Sequence, residues 1–154
     1  MFDLKEDLID IEQETQALES QLAGACVTFD GRVRNHNKGK DVLSLEYEAY
    51  AGLAIKEGVL ICQEALQQFP VLEIKSIHRT GHLSIGETAV WIGVLSEHRK
   101  EAFEACCYVI DEMKKRVPIW KKEHYVNGDV QWVTCHEVTC DFEGRKIGSL
   151  LSRG

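Results

Sequence analysis

At 154 residues the chain is long enough for one domain with a sizeable core, and 44% apolar with 28% charged residues is ordinary for a globular protein. A net charge of -7 excludes a general nucleic-acid binder, which needs a basic surface, but not a local pocket for a small anion. No apolar run approaches the roughly 20 residues of a membrane span, the opening MFDLKEDLID is too acidic for a signal peptide, and six cysteines without a secretory signal predict reduced thiols in the cytoplasm.

Apolar positions at Leu8, Ile9, Ile11, Leu18 and Leu22, with Glu and Gln between them, predict a first helix from about Asp7 to Leu22, ended by Gly24. Ala25 to Val33 then reads as a strand. Arg32 and Arg34 are two apart on it, so they point to the same side. Asn35 to Lys40 (NHNKGK) reads as a polar turn or flexible loop, and Val42 to Tyr50 resumes as a strand of alternating apolar and polar residues. The two strands are expected to pair as a hairpin with a long loop. A second helix is predicted from Ala51 to Phe69, ended by Pro70. Val71 to Thr80 and Thr88 to Leu95 follow as strands, the latter nearly all apolar and therefore central, covered on both faces.

Glu97 to Val117 is the best-marked helix. Phe103, Cys106, Cys107, Ile110, Met113 and Val117 recur at helical spacing, Ser96 is a fair N-cap, and Pro118 forces an end. Of the chain's 18 Lys and Arg, seven (Arg99, Lys100, Lys114, Lys115, Arg116, Lys121, Lys122) lie in or just after it. Lys114 points within roughly 20° of both Phe103 and Cys107. It therefore either snorkels from the apolar face, lines a pocket at the core's edge, or complements the helix dipole. Ile119 to Tyr125 and Val130 to Thr134 are expected as a hairpin around Asn127-Gly128-Asp129. The last twenty or so residues are an extra strand or a loose tail. Helices alternating with strand pairs predict an α+β fold, helices packed on a largely antiparallel sheet.

Two cationic groups stand out: Arg32, Arg34 and His36 around the first predicted hairpin, and His98, Arg99, Lys114, Lys121 and Lys122 around the long helix. Brought together they would make a pocket rich in hydrogen-bond donors, suited to phosphate or carboxylate, with lysines able to move protons. Scattered surface ion pairs are the bland alternative. Cys135, His136 and Cys140 supply at most three ligands at the wrong spacing for a zinc knuckle, so no metal site is expected. There is no Gly-rich phosphate loop and no G-x-S-x-G elbow. Cys106 and Cys107, adjacent on a helix, read as packing residues.

From Gly24 to Val133 the chain resembles the large, catalytic subunit of molybdopterin synthase. The resemblance lies in GACVTFDGRVRNHNKG, LEYEAY, IHRTGHLSIGE, SEHRKEAFEAC and MKKRVPIWKKE, the last three in the family's order and separation. It implies a single domain over residues 1–154 with its core at 24–133, and an α/β-hammerhead fold with a small β subdomain. It implies a sulfurtransferase that builds the dithiolene of molybdopterin from cyclic pyranopterin monophosphate (precursor Z), with no resident cofactor. The sulfur comes on a small ubiquitin-like partner, as a thiocarboxylate on its C-terminal Gly-Gly. A homodimer of large subunits sits at the centre of a heterotetramer. Residue by residue, the resemblance places catalytic lysines at Lys114 and Lys121, and substrate contacts at Arg32, Val33, Arg34, His98, Arg99, Lys122 and Glu123. No role is implied for residues 134–154.

Two other classes compete: a module that binds a phosphorylated metabolite or protein tail without chemistry, and a thiol enzyme using Cys106 or Cys107 as its own sulfur carrier. Lys114→Arg would spare the module and stop the transferase. Cysteine-to-alanine variants would stop only the thiol enzyme.

Overall fold

The computed structural model describes residues 1–133, followed by the backbone of two short paired strands, Thr139–Cys140 and Lys146–Ile147. The side chains of Cys135, His136 and Cys140, on which the metal expectation falls, lie outside the described residues. In chain order the elements are β1 (Phe2–Lys5), α1 (Ile11–Ala17), β2 (Ala25–Arg32), β3 (His36–Asn37), β4 (Lys40–Ala49), α2 (Ala51–Gln68) and β5 (Glu73–Arg79). Then come β6 (Gly81–Ser84), β7 (Thr88–Ser96), α3 (Arg99–Arg116), β8 (Ile119–Tyr125), β9 (Val130–Val133), β10 (Thr139–Cys140) and β11 (Lys146–Ile147). This is the α+β fold expected.

The first sheet runs β1-β5-β7-β2, with β1 parallel to β5 and the other pairs antiparallel. β7 is central, as its apolar run predicts. Its Val90, Ile92 and Val94 turn toward α2 and α3, and its Trp91 and Leu95 toward the α1 side, so both faces are covered. Small residues Ala102, Ala105 and Cys106, with Val109 and Met113, form the buried stripe of α3 and let the helix lie close to β7 and β2.

The second sheet is built on β4, which pairs with β3 at its start, β6 on one edge and β8 on the other, with β9 outside β8. A smaller core of Val33, Val42, Leu45, Leu83, Ala89 and Tyr125 lies beneath it. α3 leads into β8 through only Val117 and Pro118, and the Pro118 carbonyl accepts from the Tyr50 amide at 3.1 Å. That short join hangs the second sheet on the end of the helix.

Several expectations change. The segment β1 was not anticipated, because four residues paired in parallel carry no hairpin signal. α1 is seven residues long, and Leu8 and Leu22, counted toward it, are exposed. β2 and β4 do not pair with one another: β2 pairs with β7 in the first sheet and β4 with β8 in the second. The NHNKGK segment is a tight hairpin, with Lys38 and Gly39 at φ 48° and 78° as a two-residue I′-type turn requires. Ser96 ends β7, and α3 is capped instead at His98 without a side-chain bond. Phe103, read as a core residue, is 49% exposed because the buried stripe runs through Ala102 and Ala105.

Candidate active site

Where the end of β2, the β3–β4 hairpin, the last turn of α3 and β8 meet, they enclose a cleft of about 290 Å³. That is the lower end of the range for small-molecule sites. Arg32, Arg34, His36, Lys114, Lys121 and Glu123 border it, over an apolar floor that includes Phe29 and Val90.

Each polar side chain arrives for a local reason. Pairing between β2 and β7 shifts by one at Gly31/Arg32, so that Gly31 opposes Val90 and Arg32 opposes Thr88. Ala89 is the extra residue of this bulge, and it turns into the smaller core. Beyond it, Val33 is 3% exposed in that core while Arg32 and Arg34 flank it on the other side. The Val33 amide and carbonyl bond Glu87 and Gly86, so Val33 sets the spacing of the two arginines and offers no free group of its own. Arg32 Nε donates to Asp30 at 2.9 Å, and Asp30 also accepts from the Thr88 hydroxyl at 2.7 Å. Arg34 makes no ion pair among the described residues.

Lys114 is at the edge of α3's buried stripe and borders both the main cleft and a second cavity of about 50 Å³. Of its two neighbours, Arg116 turns outward and clamps α2, its guanidinium forking onto both carboxylate oxygens of Glu64 and reaching Glu57 at 3.3 Å. Lys115 reaches Glu112 at 3.9 Å on the surface. Part of the cationic cluster seen in the sequence is therefore structural.

Strand alternation on β8 separates Lys121, Lys122 and Glu123. Lys121 and Glu123 face the cleft with Lys121 Nζ 3.4 Å from Glu123 Oε1, while Lys122 is on the opposite face, 5.6 Å from the centre of the Trp132 ring. Glu123 is 1% exposed; Oε1 accepts from Asn37 Nδ2 at 2.8 Å, and Oε2 is buried without a hydrogen-bond partner among the described residues. Burial, with the negative charge of Glu123 nearby, pushes the Tyr125 hydroxyl up to about 12.

His98 and Arg99 are exposed at the far end of α3 and do not border the cleft. Arg99 and Lys114 stand fifteen residues apart on one helix. At about 1.5 Å per residue that is roughly 22 Å, beyond the reach of either side chain. Sequence reasoning also missed residues that the fold brings in: Asn37, Tyr47 and His78. Alternation put Tyr47 on an inward face, but nothing marked it as a site residue.

His78 borders the smaller cavity with its ring edge-on to Tyr47, centroids 5.0 Å apart, and one ring nitrogen 2.7 Å from the Arg79 carbonyl. The cavity leaves some ring surface accessible, but protein encloses it. Burial first, with help from the Lys114 charge, lowers His78 to about 4. The folded imidazole thus stays neutral where the unfolded one, at 6.5, takes a proton. From pH 6.5 down to 4 the unfolded chain binds more protons, so stability is lost through that window and is constant above it. Urea unfolding at pH 7 and pH 4.5 should show His78→Phe sparing roughly 2 kcal/mol of the wild-type loss.

Cys106 is buried on α3, and burial pushes its thiol up to about 12. A thiol so held is a poor nucleophile at neutral pH, which counts against the thiol-enzyme class for this residue.

Comparison with known proteins agrees with this picture. The family model described as MoaE protein matches residues 4–116. The molybdopterin synthase catalytic subunit of Pyrococcus abyssi is 43% identical over 129 residues, covering 84% of this chain and 86% of that one. The Bos taurus subunit of the same name is 43% identical over 124 residues, 80% of this chain but 66% of its own length. A solved molybdopterin synthase from Staphylococcus aureus superposes with a TM-score of 0.81 at 38% identity, covering 86% of this chain and 96% of that chain.

Proposed function

This chain belongs to the MoaE protein family, and from that premise we propose that it is the catalytic subunit of a molybdopterin synthase. It moves sulfur from the C-terminal thiocarboxylate of a small ubiquitin-like partner onto cyclic pyranopterin monophosphate, twice in succession, to form the dithiolene. One observation carries the reading: Arg32, Arg34, Lys114 and Lys121 come from three separate parts of the chain and border one cleft in an otherwise acidic protein.

The arrangement suits the chemistry. Both reactants are anions, and a cationic entrance in an acidic surface directs them to one place. Arg34 is positioned to fork onto a phosphate, with Arg32 beside it. Lys121, on the rigid strand β8, stabilises the oxyanion that forms when water attacks the thioester linking carrier to substrate, which breaks the acyl C–S bond, leaves the sulfur on the pterin and releases the carrier as an ordinary carboxylate. Lys114 carries the proton as sulfur adds and the cyclic phosphate opens. Glu123 holds Lys121 in place and keeps an acceptor oxygen in the pocket wall. A subunit called catalytic implies a second that is not, which supports the small partner.

His98 and Arg99 enter this scheme from a second copy. Roughly 22 Å separates Arg99 from Lys114 within a chain, so in the proposed homodimer the helix start of one protomer supplies the cleft of the other. Lys122, facing away beside Trp132, is assigned to the outer surface of that cleft's wall rather than to the substrate.

Reconstitution tests the reading. The purified chain, a thiocarboxylated carrier and cyclic pyranopterin monophosphate should yield a product carrying two added sulfurs by mass spectrometry. The carrier with an ordinary carboxylate should yield none. Unchanged substrate in the complete mixture would overturn the assignment.

A further inference from the structure

Asn37 belongs to a hairpin tip that a sequence reader passes over as turn, yet it makes a contact 86 positions along the chain. Its Nδ2 donates to Glu123 Oε1 at 2.8 Å, and both residues border the cleft. The amide orientation follows from chemistry, since a carboxylate can accept only from the NH2 end. Glu123 Oε1 is also the oxygen that Lys121 Nζ approaches at 3.4 Å. Asn37 and Lys121 thus share one acceptor atom on a carboxylate that is 1% exposed.

The hairpin is built to deliver this contact. Lys38 and Gly39 hold the tight turn, and β3 pairs with β4 through His36↔Asp41 and Asn37↔Lys40. Beyond that turn, Lys40 Nζ sits 5.0 Å from the centre of the Tyr125 ring, a second fastening onto β8. The Val126 amide donates to the Asp41 carbonyl at 3.1 Å, a third. Of the three, only the Asn37 bond reaches a group inside the cleft.

We propose that Asn37 is a positioning residue for the Glu123–Lys121 pair, and that the same bond latches the β3–β4 hairpin as a wall of the cleft. With Asn37 in place, the carboxylate is satisfied in part by a neutral donor, and Lys121 rests 3.4 Å from Oε1, held near the cleft without closing tightly onto the carboxylate. Without it, Lys121 becomes the remaining donor on Oε1 and is drawn onto the buried charge, away from the reacting acyl group. The kinetic consequence rests on the active-site reading above; the latch does not.

Two measurements test it. The first is amide hydrogen exchange of residues 35–42 in the chain alone, without substrate or carrier. Asn37→Asp puts a carboxylate against a carboxylate in the same shape, and exchange there should rise about tenfold or more while the β2 and β7 amides are unchanged. The second is a double-mutant cycle on turnover. Asn37→Ala should lower kcat about tenfold with the carrier KM unchanged, and should cost nothing further in a Glu123→Gln background. Asn37→Gln should recover part of the loss. Unchanged exchange in Asn37→Asp, or penalties that simply add in the double variant, would overturn the proposal. A chain that opens on Asn37→Asp but whose wild type makes no dithiolene keeps the latch and loses the active-site reading. A productive chain whose exchange does not respond does the reverse.

Discussion

Heterodimers that combine a Lys114→Ala protomer with an Arg99→Ala protomer should recover about half of wild-type turnover, although each variant alone should lose about 100-fold or more. In the twofold dimer proposed above, each cleft would take Lys114 from one chain and the His98–Arg99 end from the other. The mixed dimer then has one cleft lacking both side chains and one with both intact. Different affinity tags on the two protomers, purified in tandem, give the mixed species, and the same dithiolene assay reads it. Activity no higher than in the single variants would place Arg99 outside the chemistry, since the helix length rules out a contribution to its own chain's cleft. Lys114→Arg should remain poorly active, because a guanidinium keeps the charge but does not release a proton at working pH.

The largest effect on stability is expected at Gly58. A glycine inside an exposed helix normally gains about 1 kcal/mol on replacement by alanine. Here a Cβ would fall within 3.0 Å of three carbons of the Phe2 ring, which is 4% exposed beneath α2. The clash outweighs the helix propensity, because Phe2 is the buried side chain that docks the four-residue strand β1 under α2. Forcing the ring out forfeits most of its burial, about 3 kcal/mol, so Gly58→Ala should lower the melting temperature by roughly 6–12 °C. Phe2→Ala in the same chain should remove most of the additional penalty, and calorimetry of the two single variants and the double variant decides it. A stabilised Gly58→Ala would mean that β1 is not seated as described.

Local signals carried much of this architecture. The course and stop of α3 followed from its period and from Pro118, the β8–β9 hairpin from Asn127-Gly128, and the central place of β7 from its unbroken apolar run. Long-range pairings did not show. β2 and β4 are neighbours in sequence with a turn-like segment between them, so a hairpin was the economical expectation. The chain instead spends that segment on β3 and sends the two strands to different sheets. The cationic side chains of the cleft were legible because charge clustering in an acidic chain is visible in one dimension. Asn37 was not, because its role depends on Glu123, and nothing within a turn reveals a partner that far along the chain. His98 and Arg99 show the opposite case: adjacent to the right helix in sequence, they are a helix length away in space.

The fate of Cys106 has a bearing on fidelity. At about 12, its thiol is ionised in roughly one molecule in 100,000 at pH 7. An activated acyl-sulfur carrier is open to capture by any nearby thiolate, and a chain acylated on its own cysteine would be a dead end. Packing that cysteine into the sheet-facing side of α3 removes it as a competitor without removing the residue.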